Sequence, residues 1–161
     1  LESKLVKKLD GVKLAPFYGC YIVRPSKALG FEENPGRKQA LEEIIETVGG
    51  EVVDFPGKTL CCGFPILTIN PENSVNMVAN HTIDAKDRGA DAMVTPCPLC
   101  HLNLDGYQPN AASARKREID LPIIHLPQLL GLALGIEPEK MRLNKHIVST
   151  KKLLSELAIS P

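Results

Sequence analysis

Four short apolar runs, each leading into a stretch with helical spacing, constrain this chain more than anything else in it. The runs fall at residues 12–18 (VKLAPFY), 51–55 (EVVDF), 92–95 (AMVT) and 121–126 (LPIIHL). Between the first two, Ala40, Leu41, Ile44, Ile45 and Val48 recur at helical spacing over residues 37–48, and Gly49-Gly50 closes the helix. A second helix is predicted over residues 72–88, with Val75, Val78, Ala79 and Ile83 as its apolar stripe and Gly89 just past its end. A third begins at Pro98, a residue suited to the first helical position, and runs through Leu99, Leu102 and Leu104 toward Gly106. Residues 127–134 form a short, strongly apolar helix, expected to dock on the sheet or on a partner, and Leu153, Leu154 and Leu157 mark a last amphipathic one. Strand, helix, strand in repetition predicts an α/β fold: about four mainly parallel strands with helices on both faces. Residues 24–36 and 108–118 read as loops, and Arg115, Lys116 and Arg117 in the second as a solvated face.

Length and charge narrow the function. The 161 residues, 43% of them apolar, suit a single domain over 1–161. Nineteen Lys and Arg balance nineteen Asp and Glu, aromatic residues make up 4%, and there is no Trp. A nucleic-acid groove needs a basic excess and stacking rings, so no nucleic-acid partner is expected. No apolar run approaches the roughly 20 residues of a membrane span, and no signal-peptide pattern opens the chain. The expected location is cytoplasmic, where thiols stay reduced. The chain opens on Leu1 rather than Met, so it is expected to be either trimmed or part of something longer.

Five cysteines then stand out. Cys20 follows the first predicted strand, Cys61 and Cys62 the second, Cys97 and Cys100 the third. All five should therefore sit beyond the carboxyl edge of a parallel sheet, where open α/β sheets bind ligands, and converge on one pocket. Cys97 and Cys100 also flank a helix start, where main-chain N–H groups favour anionic sulfur. A tetrahedral zinc takes four ligands, as does a cubane iron–sulfur cluster, and either leaves one thiol over. An adjacent Cys-Cys pair suits two neighbouring metals in a larger cluster. The alternative is that some of the thiols are small buried apolar groups.

The pattern Cys20-x40-Cys61-Cys62-Gly63-x33-Cys97-x-x-Cys100, with FYGC, LCCGFP and TPCPLCHLNLD around it, resembles the CCG cysteine-rich domain, and in particular the B subunit of heterodisulfide reductase. IIHLPQLLGLALGI and LNKH extend the resemblance over most of the chain. The resemblance implies a non-cubane [4Fe-4S] cluster on Cys20, Cys61, Cys62, Cys97 and Cys100 and an oxidoreductase acting on a disulfide or a similar two-electron acceptor. The partners it implies are a flavoprotein like that enzyme's A component, a ferredoxin-like protein resembling its C component, and a second CCG half. That family carries the motif twice; here it occurs once, so the chain resembles the second half. CCG domains also occur in other oxidoreductase complexes, and the rival expectation is a non-catalytic assembly module holding zinc or a cluster.

Other residues are weaker candidates. His125 closes the fourth strand and is the candidate catalytic residue, placed to supply a proton; the alternative is a hydrogen-bonded structural histidine. Gly63 is expected to let the main chain approach a bound group, or else to serve as a turn glycine. His101 should point away from the thiols, while His81 and His146 are expected to face solvent. Pro65, Pro96 and Pro98 should stiffen the loops.

Overall fold

The computed structural model describes residues 2–31 and 33–159. Four strands, β1 (Lys13–Pro16), β2 (Glu51–Val52), β3 (Ala92–Thr95) and β4 (Ile123–His125), form one sheet in the order β2-β1-β3-β4. Every pairing is parallel, with Leu14 opposite Val52 and Ala92, and Met93 opposite Ile123. Six helices cover it: α1 (Ala40–Thr47), α2 (Pro71–Asp87), α3 (Pro98–Gly106), α4 (Gln108–Arg115), α5 (Leu126–Ala133) and α6 (Lys151–Glu156). The expected α/β architecture is the observed one.

Because side chains alternate across a strand, the sheet separates two cores. Leu14, Val94 and Ile124 face one way and pack with Leu41 and Ile45 of α1, Leu129 and Leu132 of α5, and Leu153 and Leu154 of α6. Ala15, Met93 and Ile123 face the other way, toward Val78 and Ala79 of α2, Leu104 of α3 and Ala111 of α4. The apolar α5 thus docks on the sheet. Cys62, Cys97 and Cys100 belong to the second core.

Helix ends follow their chemistry. The Asn70 side chain caps α2 by accepting from the Asn73 N–H at 3.0 Å, with Pro71 in the first turn. Cys97 occupies the N-cap position of α3, followed by Pro98.

Two elements differ from expectation. β2 ends at Val52 rather than at residue 55. Val12, just before β1, and Leu14 within it accept from Glu51 and Val53, and the next residue in that series is Pro16, which has no N–H to continue the ladder. On the other side the ladder continues, with the Phe17 N–H donating to the Val94 carbonyl at 2.7 Å. Residues 108–118 are not a loop: most of them form α4, whose buried face is only Gln108 and Ala111. Gln108 accepts from the Leu121 N–H at 2.8 Å and donates to the Leu121 carbonyl at 2.9 Å, tying α4 to the approach to β4. The basic residues that follow are exposed as expected, yet Arg115 donates to Asn80 and Arg117 pairs with Asp87, so both grip α2.

Candidate metal centre

The strand order places a switch point at β1: the chain leaves it for β2 on one side and returns to β3 on the other. Beyond the carboxyl ends of two such strands lies an open crevice. Cys20 sits in the turn after β1, and Cys97 follows β3 by two residues, so the two flank this crevice. Cys100 lies in the first turn of α3, and the short turn Pro56–Thr59 after β2 delivers Cys61 and Cys62.

All five thiols are free of disulfides, and each is electrostatically linked to at least one other. Cys20 is perturbed by Cys61 and, less, by Cys62; Cys62 is perturbed by Cys100, and Cys100 by Cys62 and Cys97. Cys62, Cys97 and Cys100 are buried, while Cys20 and Cys61 are half-buried and open the group to solvent. Contact with Cys100 draws the Cys62 thiol down to about 7 against the opposing effect of burial. Its partner Cys100 is pushed up, first by that same contact and then by burial. Cys20 is raised by burial and by Cys61. Three thiols are thus perturbed by neighbouring sulfur.

The surrounding main chain makes room for sulfur. A Cβ on Gly19, which has φ +70°, would lie 2.6 Å from the Cys100 Sγ. Gly63, at φ +95°, directs its N–H at the Cys61 Sγ at 3.4 Å, and the Phe64 N–H faces the Cys62 sulfur. The Thr95 Oγ1 accepts from the Cys97 N–H at 3.3 Å. Among the described residues, no three His, Cys, Asp or Glu side chains are grouped to hold a metal ion. The donor set is thiolate throughout, with main-chain N–H groups beside the Cys61 and Cys62 sulfurs, and it fits a thiolate-bound metal group.

Three histidines gather beside these thiols. The His101 Nε2 is 3.1 Å from the Ile123 carbonyl, and its ring lies 5.8 Å from that of His125 and 4.8 Å from that of His146. It points toward β4, away from the sulfurs, as expected. His125 turns its Nε2 to the Pro96 carbonyl at 3.2 Å and forms a capping box with Gln128 at the start of α5. His146 does not simply face solvent: it is half-buried, with its Nε2 3.0 Å from the Gln128 amide. His81 is a plainer correction. It is buried, and its Nε2 meets the Cys61 carbonyl at 2.9 Å. The buried stripe of α2 runs through Ser74, Val78, His81 and Ala85, at offsets of 4, 7 and 11 residues, so three polar side chains on it (Thr82 included) hide it from an apolar count.

Asn103 was equally unmarked in the sequence. It is fully buried and donates to the Cys62 carbonyl at 2.8 Å and to the Ser74 Oγ at 3.3 Å. Its position three residues after Cys100, on the same helix face, was the available signal.

A family model for the cysteine-rich domain called CCG matches residues 14–105, which contain all five cysteines. The chain belongs to the CCG cysteine-rich domain family. Over 95% of its length it is 39% identical to the 8-methylmenaquinol:fumarate reductase membrane anchor subunit of Wolinella succinogenes. Over 98% it is 32% identical to the B subunit of the ferredoxin:CoB-CoM heterodisulfide reductase of Methanosarcina mazei. Over 88% it is 31% identical to a protein of Archaeoglobus profundus described as like the B subunit of heterodisulfide reductase. These matches cover 54%, 52% and 48% of the relatives, so the chain spans about half their length. A hypothetical protein from Helicobacter pylori shares the fold, with a TM-score of 0.68 at 17% identity over 90% of this chain and 26% of that one. No described helix of this CCG domain is long and apolar enough to cross a membrane.

Proposed function

We propose that this CCG domain is the cluster-bearing half of an iron–sulfur oxidoreductase subunit of the heterodisulfide reductase B type. The observation that carries the reading is the set of five disulfide-free cysteines that follow β1, β2 and β3 at the switch point, inside the segment matched to the family. The relatives, by name reductase subunits, point the same way. Cys20, Cys61, Cys62, Cys97 and Cys100 would hold a non-cubane [4Fe-4S] cluster, which when bound supplies one-electron storage and a site where a substrate sulfur is captured. The chain's own residues keep water from Cys62, Cys97 and Cys100 by burial, and the Gly63 and Phe64 N–H groups offset negative charge on the pair. His125 is the proposed proton source for a leaving thiolate. Replacing it with Gln should leave the cluster spectrum intact and lower turnover; unaltered turnover would assign it to capping α5 alone.

Residues 1–161 act in this reading as one unit of a longer machine. The acceptor is a disulfide or a similar two-electron acceptor. The partners are a flavoprotein resembling the A component of heterodisulfide reductase, a ferredoxin-like protein resembling its C component, and a second CCG half. The test is reconstitution without oxygen, followed by reduction with an artificial one-electron donor and a disulfide chase. The reconstituted chain should develop a paramagnetic signal on one-electron redox change, yet turn over disulfide only when the second half is added. A chain that takes up no iron and holds one zinc would instead be an assembly module.

A further inference from the structure

We propose that His81 and Asn103 are positioning residues that set the main-chain N–H groups beside the Cys61 and Cys62 sulfurs, by holding the carbonyls of the two cysteines. A trans peptide is rigid, and its C=O and N–H point in opposite directions. Fixing one end therefore fixes the other. The plane joining Cys62 to Gly63 has its carbonyl held by the Asn103 amide at 2.8 Å, and its N–H points at the Cys61 Sγ at 3.4 Å. The plane joining Cys61 to Cys62 has its carbonyl 2.9 Å from the His81 Nε2, which fixes this neighbouring plane and turns its N–H away from His81. In the third plane the Gly63 carbonyl accepts from the Ile66 N–H at 3.1 Å, and the Phe64 N–H faces the Cys62 sulfur. Three successive planes thus have their carbonyls held on the protein side, with the Gly63 and Phe64 N–H groups on the side of the sulfurs.

Both side chains are locked in place. A carbonyl only accepts, so the His81 Nε2 carries the hydrogen. The imidazole is pressed against Gly57, where a Cβ would lie 2.5 Å from Nδ1, and its ring centroid is 5.1 Å from that of Phe17. Asn103 is fully buried and gives its second N–H to Ser74, while its Oδ1 has no hydrogen-bond partner among the described residues. An empty buried acceptor is destabilising, so an apolar side chain of the same shape would suit the core better. What Asn103 contributes is its donors. Hydrogen bonds to ligating sulfur and the groups that orient ligands tune a bound metal centre, and to that extent the inference rests on the proposed function. In the metal-free chain it stands alone.

The reduced, metal-free chain can be alkylated with iodoacetamide and each cysteine followed by mass spectrometry, with Cys20 as the internal reference. Thiolate is the reacting form, and the greater nucleophilicity of a more basic thiolate offsets part of its loss. Asn103→Leu should therefore slow Cys61 about two- to three-fold relative to Cys20. His81→Leu, which frees the Cys61 carbonyl, should slow the half-buried Cys61 similarly, while His81→Gln, which keeps a donor at the same reach, should restore it. In chains that take up iron, His81→Leu should shift the reduction equilibrium about five-fold toward the oxidised form, about 40 mV at 59 mV per decade, and His81→Gln should reverse the shift. Unchanged rates in variants with native circular dichroism would overturn the proposal, as would a Gln variant that behaves like Leu. If Asn103→Leu does not fold, the two His81 variants decide. A wild-type chain that takes up no iron defeats the proposed function and leaves the alkylation result to stand or fall separately.

Discussion

At Gly63 the main chain sits at φ +95°, and a Cβ would lie 2.9 Å from the Ser74 Oγ and 3.0 Å from its main chain. An L side chain is strained at such a φ, and α2 gives it no room. Gly63→Ala should destabilise the fold by about 2–3 kcal/mol, read as a lower midpoint in denaturant, and should move the cysteine pair with it. The pair itself is the hardest part of the site to replace. Cys61 and Cys62 have adjacent main-chain positions but different sulfur surroundings, Cys20 sensing Cys61 more than Cys62 and Cys100 sensing Cys62 but not Cys61, so neither can cover for its partner. Cys61→Ser and Cys62→Ser should each abolish cluster incorporation. Cys20 is half-buried on the open side of the group, and Cys20→Ser should leave an altered, iron-poorer cluster with a shifted paramagnetic resonance signal. Iron and sulfide counts on each reconstituted variant check this; if Cys20→Ser alone empties the site while either member of the pair is dispensable, a four-ligand metal is the better account. At this scale the cysteines were legible in the sequence because their spacing against the strand–helix alternation is unusual. His81 and Asn103 were not, because a polar residue on a helix reads as solvent-facing until the element packed over it is known.

Among the elements, α4 shows why a polar segment can still be structural. Only Gln108 and Ala111 are buried, too few for a periodic stripe, and the helix is attached by hydrogen bonds and by two arginines on α2 instead of by apolar area. Gln108→Leu would leave the buried Leu121 N–H and carbonyl without their partner. The expected loss is about 2–4 kcal/mol, measurable by chemical denaturation, with amide hydrogen exchange faster at Leu121 than at β1. The long helices and the four strands could be read from periodicity and from Pro and Gly punctuation. The early end of β2 could not, because its cause is Pro16 on a different strand. Local pattern specifies an element's existence; its length depends on which neighbour it meets.

For the whole molecule, the parallel order β2-β1-β3-β4 is what unites thiols separated by up to 80 positions in sequence, since each follows a strand that ends at the same edge. Their placement beyond the carboxyl edge followed from the alternating pattern. The relatives are about twice as long as this chain, so it corresponds to about half of a comparable polypeptide. The measurement that tests the central claim most directly is metal and sulfide analysis of the chain purified and reconstituted without oxygen. The account predicts a brown protein with about four iron and four sulfide per chain, both lost on chelation. A colourless protein with one zinc and no acid-labile sulfide per chain would contradict it.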